Sequence, residues 1–198
     1  MTLSREEVLE NLGFEDESLM TNIDWNWILY DKILSEEMID VLSDDLDWKL
    51  LIIRYNLSEE IIEKHRNKIS LRTLAKTKKL TENFIRKYAS EINWSNISAY
   101  QSLSEEFIRE FKNKVKWTLI SEHQKLSEEF MEQFGDDINW YKISKYQKLS
   151  EDFIRKHQDI LFPRHIWLYQ NYSEEFIKEF EGENDIKLIL MNKYTSKS

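Results

Sequence analysis

Hydrophobic and polar residues follow one another along this chain in a pattern that returns every 23 positions. In residues 103–125, Leu103, Phe107, Phe111 and Val115 stand four apart with Ile108 beside them, which draws a single apolar stripe along a helix. Trp117, Ile120 and Ser121 then mark the inward side of a second, shorter helix. Leu34, Leu57, Leu80, Leu103, Leu126, Leu149 and Tyr172 open seven such units, followed at once by Ser35, Ser58, Thr81, Ser104, Ser127, Ser150 and Ser173. Those hydroxyls occupy N-cap positions, and the acidic pairs after them place negative charge at the positive end of a helix. The arrangement is not a Ser-x-x-Glu capping box, because the third residue after Ser104 is Phe107.

A large apolar residue recurs further into each unit: Trp48, Trp94, Trp117 and Trp140, with Leu71 and Ile186 as substitutes, and Trp25 in the same phase one unit earlier. The position before it holds a good N-cap type in Asp24, Asp47, Ser70, Asn93, Asn139 and Asp185, but not in Lys116 or Phe162. Each unit therefore reads as a helical hairpin of roughly ten plus seven residues. Helices so short are marginal alone in water, so neighbouring units must supply their stability. A fixed period of this length marks a repeat protein whose units bury their apolar faces only by stacking. The expected fold is an all-α solenoid of about eight stacked short hairpins with caps at both ends. Residues 1–33 read as an N-terminal cap and divergent first repeat, because Leu3, Ser4, Val8 and Leu9 copy the first-helix pattern but Trp25 arrives eight residues late. Residues 34–194 hold the seven tandem repeats, and 195–198 form a tail.

Composition narrows the picture. Three glycines and one proline in 198 residues argue against long loops and hairpins. Without cysteine there is no disulfide or thiolate metal site, which fits a reducing compartment and an expected cytoplasmic location. The acidic amino terminus does not read as a secretory signal, and no apolar run approaches a membrane span. The net charge of −9 is unevenly spread. Residues 1–60 hold 4 basic and 16 acidic side chains, 61–90 hold 9 and 2, and the remainder 15 and 19.

The pattern Leu-Ser-Glu-Glu-Phe-Ile followed by Trp-x-x-Ile-Ser and Gln, clear in residues 103–148, resembles short helical repeats in proteins of giant DNA viruses and phages. The resemblance spans about residues 34–194 and implies an all-helical array. No activity comes with it; a viral or phage setting implies a host protein as the partner, in the host cytoplasm.

Residues repeated in every unit are explained by folding, so a site should appear where the pattern breaks. The carboxylate pairs read as helix-dipole compensation, and adjacent helical positions do not face each other. They would still line one edge as an acidic ridge, and Asp16, Glu17, Glu36, Glu37, Asp44, Asp45, Glu59 and Glu60 are the candidate contacts for a basic partner surface. The strongest departure is a basic belt of Lys64, Arg66, Lys68, Arg72, Lys76, Lys78, Lys79, Arg86 and Lys87, which suits phosphates, an acidic partner, or simple balance of the acidic front. His65 and His157 take the place of Tyr88, Phe111 and Phe134, and His123 that of Tyr100 and Tyr146, so all three read as stand-ins for core aromatics. The tryptophans read as core, except Trp27, which escapes the phase and belongs at the surface of the cap. Around His165, Pro163 replaces the usual tryptophan and Trp167 restores the lost volume.

No phosphate loop, nucleophile elbow or metal-ligand spacing occurs, so no catalytic residue, metal or cofactor is expected. The leading expectation is a non-catalytic protein-interaction module that blocks a host protein such as a defence nuclease. Nucleic-acid binding through the belt and a structural, self-assembling spacer are the alternatives.

Overall fold

The computed structural model describes residues 3–14 and 23–179. Among them are fifteen α-helices and no strand: α1 (Arg5–Asn11), α2 (Trp25–Asp31), α3 (Glu36–Val41), α4 (Trp48–Arg54), α5 (Glu59–Lys64), α6 (Leu71–Thr77), α7 (Glu82–Lys87), α8 (Trp94–Tyr100), α9 (Glu105–Glu110), α10 (Trp117–His123), α11 (Glu128–Gln133), α12 (Trp140–Tyr146), α13 (Glu151–Lys156), α14 (Pro163–Tyr169) and α15 (Glu174–Glu179). From α3 onward, first and second helices alternate and each kind restarts every 23 residues. The chain is an all-helical repeat solenoid. It divides into two compact units, Met1–Asn93 with α1 to α7 and Trp94–Ser198 with α8 to α15. The expected C-terminal cap, with Asp185 and Ile186, and the 195–198 tail lie outside the described residues, as do Asp16 and Glu17.

Local chemistry sets the helix starts. Ser35, Ser58, Thr81, Ser104, Ser127 and Ser150 each accept the amide hydrogen of the residue three positions on, at 3.1–3.3 Å. At Ser4 the pair is reciprocal, because Glu7 also accepts from the Ser4 amide at 2.7 Å. Asp24, Asp47, Ser70 and Asn139 cap the second helices, while Lys116 and Phe162 make no side-chain cap.

First helices are six residues long rather than the ten expected. At Phe111 the backbone leaves helical dihedrals (φ −107°, ψ 26°), and a tighter turn follows in which the Lys114 and Val115 amides both donate to the Phe111 carbonyl. The turn keeps Val115 on the buried side at 5% exposure. The four-residue spacing is thus kept while the helix is not.

In the first unit α2, α4 and α6 pack in sequence order, and α1 packs on α3. Its core holds Val8, Leu9, Ile28, Leu29, Ile39, Leu42, Leu51, Ile52, Ile62 and Leu74. In the second unit α8, α10, α12 and α14 form one row over Phe107, Ile108, Ile120, Phe130, Met131, Ile143 and Phe176. Burying each of these side chains contributes about 1.5–3 kcal/mol.

The tryptophans are not uniformly core. Trp48 is buried, but Trp94, Trp117 and Trp140 are half-buried, lying over the first helix of the next repeat. Trp94 meets Phe107 and Phe111, Trp117 meets Phe130 and Phe134, and Trp140 meets Phe153 and His157, with centroids 4.9–6.4 Å apart. The indole N–H groups bond in the same way whether the ring is buried or half-buried. Those of Trp48, Trp117 and Trp140 donate to the carbonyls of Ser43, Lys112 and Gly135 at the rim. Trp27 is surface-exposed, as its phase predicts. Trp167 lies 5.9 Å from Phe176, the ring that a tryptophan at position 163 would reach, so it does replace the missing volume.

Glutamines and serines tie repeats together through bonds between residues 18 to 26 apart in sequence. The Gln147 amide nitrogen donates to the carbonyls of Ser121 at 3.0 Å and Gln124 at 2.7 Å, while its oxygen accepts the Leu126 amide at 3.1 Å. Gln124 and Gln170 repeat this set one unit before and one after. Ser121 and Ser144 are fully buried; each donates to the tryptophan carbonyl four residues back and accepts the amide that starts the next second helix, from Asn139 and Phe162 respectively. Ser98 accepts likewise from Lys116, so the two positions without side-chain caps are stitched from the preceding repeat instead. In the first unit Tyr55 holds the glutamine position, and its hydroxyl reaches the Lys32 and Leu29 carbonyls at 2.7 and 3.4 Å.

Candidate functional site

The acidic pairs do more than face a dipole. The first carboxylate of each pair is half-buried, and the second is exposed from Glu37 to Asp152. Glu36, Glu59, Glu105, Glu128 and Glu151 each accept the backbone amide of the N-cap residue of the next repeat: Ser58, Thr81, Ser127, Ser150 and Ser173. The hydroxyls of Ser58, Thr81 and Ser150 donate to the same carboxylates at 2.8–3.0 Å. These charge-assisted bonds clamp repeat to repeat. Of the candidate partner contacts, Glu36 and Glu59 are spent on clamps, Glu37 accepts the Leu3 amide, Asp45 pairs with Arg5, and Asp44 pairs with Lys68. Glu60 is exposed.

The basic belt divides between the two kinds of helix. Its first-helix and turn members are matched to carboxylates of a neighbouring repeat or of their own helix: Lys64 to Asp40, Lys68 to Asp44, Arg66 to Glu91, Lys87 to Glu63 and Arg86 to Glu82. The Lys64 ammonium, and after it His65, hold the Asp40 carboxyl below the ordinary aspartate value. Arg66 also lies 5.5 Å over the Tyr88 ring, seventeen residues past the position where Leu71 stands in place of tryptophan, so its guanidinium covers a face that an indole covers elsewhere. The second-helix members Arg72 and Lys76, and Lys79 beyond them, are exposed. Lys78 occupies the glutamine position, half-buried, and burial pulls its ammonium below the usual lysine value.

The histidines also divide. His65 is buried against Trp48 at 4.7 Å and bonds Asp40 at 2.7 Å; His157 lies between Trp140 and Phe153 and reaches Glu132. Both stand in for aromatics as expected. His123 does not: it is exposed, like Tyr100 and Tyr146 at the same position. That position is the last residue of the second helix, which turns its side chain away from the row behind it.

This correction exposes what the residue-block reading of charge concealed. In the second unit, the second helices with the connections after them (94–103, 116–126, 139–149 and 162–172) hold six basic residues and one acidic. The first-helix stretches (104–115, 127–138, 150–161 and 173–179) hold six basic and fourteen acidic. Exposed large apolar side chains follow the basic side. Tyr100, Tyr141, Tyr146, Phe162 and Tyr169 lie on second helices or their caps; among the described residues the first-helix stretches of this unit expose one large apolar side chain, the aliphatic Ile160 in the turn after α13, and no aromatic. In the first unit Trp27, Tyr30 and Ile53 repeat the habit on α2 and α4.

The aromatic residues converge on α12 and α14. Tyr141 lies 5.2 Å from Phe162 and 4.3 Å from His165, both edge to face, and Tyr169 lies 5.8 Å from His165. The Lys145 ammonium sits 4.9 and 5.2 Å from the Tyr146 and Tyr169 rings, and the Tyr146 hydroxyl beside it raises its pKa above the ordinary lysine value. Lys142 pairs with Glu122 at 2.7 Å, which holds that carboxyl low. Arg164 is exposed beside Phe162 and Pro163. A groove of about 460 Å³ runs between Tyr141, Lys145, Phe162, Arg164, His165 and Tyr169. Among the described residues, no group of three or more His, Cys, Asp or Glu side chains is placed to hold a metal ion, and no helix is long and apolar enough to cross a membrane.

Compared with known proteins, the chain matches no family, no curated protein and no solved structure.

Proposed function

We propose that this protein is a non-catalytic interaction module that docks its partner along the second-helix side of its repeats. One observation carries the reading. The charged groups of the first helices are largely engaged in bonds between repeats, whereas the second helices present tyrosines and basic residues to solvent. Aromatic and basic side chains of this kind are enriched where proteins bind their partners. The partner that fits is anionic and offers flat or apolar groups. A partner recovered with the full chain from its native source should be lost when Tyr141 and Tyr169 are both changed to serine, and kept when Glu106 and Glu129 are both changed to glutamine.

A second reading rests on a different row. Glu37, Glu60, Glu106, Glu129 and Asp152 share one position of the 23-residue frame and are exposed, the row being broken at Asn83. It makes the protein a blocker of a basic surface, such as that of a host defence nuclease. The opposite result in the same experiment, loss with the glutamine pair and retention with the serine pair, selects it and overturns the first.

A further inference from the structure

We propose that the α12–α14 groove binds single-stranded nucleic acid, with bases stacked on its aromatic rings and phosphates held by Lys145 and Arg164. The inference rests on the second-helix docking reading and names its ligand class. The groove offers three things that such a strand needs.

The first is exposed π-faces at close intervals. Tyr141, Phe162 and Tyr169 are each 44–52% exposed; Tyr141 meets Phe162 and His165 edge to face and His165 meets Tyr169 edge to face, so the rings support one another before any ligand arrives. Every base has a π-face, so stacking tolerates any sequence. The second is positive charge without a competing carboxylate: α12 and α14 carry Lys142, Lys145 and Arg164 and no acidic residue. The nearest carboxylate, Glu122 of α10, is already committed to Lys142 at 2.7 Å. Lys145 stands between the Tyr146 and Tyr169 rings, which places a cation beside the stacking surface. The third is space, since about 460 Å³ lies within the range of sites that hold small ligands, about 300–1,000 Å³.

Size argues for the strand over a duplex. A groove this size, bounded by side chains of two helices, meets one exposed base and its phosphate, and it has no helix free to enter a major groove. Phosphate contacts by Lys145 and Arg164 would release counterions, so affinity should fall as salt rises, with a log–log slope of about −1.4 for two contacts to a single strand.

The test is fluorescence anisotropy of the full chain with a labelled single-stranded thymidine oligomer of about 15 nucleotides. Binding is expected at about 50 mM salt, weakened about sevenfold at about 200 mM. Tyr141→Ala should weaken it about tenfold, and Arg164→Glu at least as much. Both positions are at the surface, so an unchanged thermal melt will show that the variants fold. The control Asn113→Ala, in the exposed turn after α9 on the first-helix side, should bind as the wild type does. No binding at low salt, or binding insensitive to both groove variants, overturns the proposal. A labelled acidic peptide containing tyrosine separates the two levels. If the peptide binds with the same Tyr141 dependence and the oligomer does not, the nucleic-acid ligand is wrong and the docking side stands. If neither binds and a partner recovered from the native source ignores Tyr141, both fall.

Discussion

Replacing Gln147 by methionine keeps the length and bulk of the side chain and deletes its amide. In the native structure Gln147 is 7% exposed, and its amide serves three backbone groups: the Ser121 and Gln124 carbonyls of the preceding repeat and the Leu126 amide that opens its own. All three lose their partner in a buried site. An unpaired buried polar group costs about 1–3 kcal/mol, so the variant should lose about 3–5 kcal/mol after local relaxation. In a chain of this length that is a drop of about 6–15 °C in melting temperature. Circular dichroism against urea and temperature measures both quantities. Lys148→Met, at the exposed next position, controls for added apolar surface. If Gln147→Met stays within about 0.5 kcal/mol of the wild type, the amide is incidental and the account of how repeats cohere is wrong.

Three further outcomes follow from the same contacts. Glu128→Gln weakens the clamp on Ser150, and because the pair is exposed the stability loss should be only about 1 kcal/mol, read best as faster hydrogen exchange at the Ser150 amide. Asp40 has its pKa lowered by Lys64 and His65 below the ordinary 3.8, so its contribution is present above that value and lost as pH falls through the lower folded one. Urea midpoints between pH 5 and about 2 should therefore fall less steeply in Asp40→Asn than in the wild type. Trp117→Ala, which strips the indole from Phe130 and Phe134, should cost about 2–3 kcal/mol, less than a fully buried tryptophan because the ring is half-exposed.

The repeat register, the N-caps and the helix starts were legible because each depends on residues within one turn of one another: Ser104 and Phe107, Asn139 and Lys142. The six-residue length of the first helices was not, since Phe111 and Val115 keep helical spacing through a turn that is not α-helical. What binds repeat to repeat was also hidden. The partners of Gln147 and Glu128 lie 21 to 26 positions away, and a local reading gives a glutamate at a helix start no reason beyond the dipole. The belt looked like a site because its charges are contiguous in sequence, yet the carboxylates matched to Lys64, Lys68 and Lys87 are each 24 residues back. The groove escaped for the opposite reason. Tyr141, Phe162 and Tyr169 stand at three different positions of the 23-residue frame, so no single column of the repeat displays them together. The signal that finds them is charge counted helix by helix rather than block by block.

The glutamine bonds make each repeat an interchangeable cassette. Gln147 looks back to its predecessor and Gln170 looks back to Gln147 by the same three bonds. Excising residues 126–148 would therefore bring Gln170 onto the Gln124 carbonyl with donors and acceptors still matched. Removing one residue fewer would strand every amide on the far side of the cut. Such a chain can lengthen or shorten by whole duplications without inventing a new joint, and its lineage is free to vary in the number of repeats where it is not free to vary in their size.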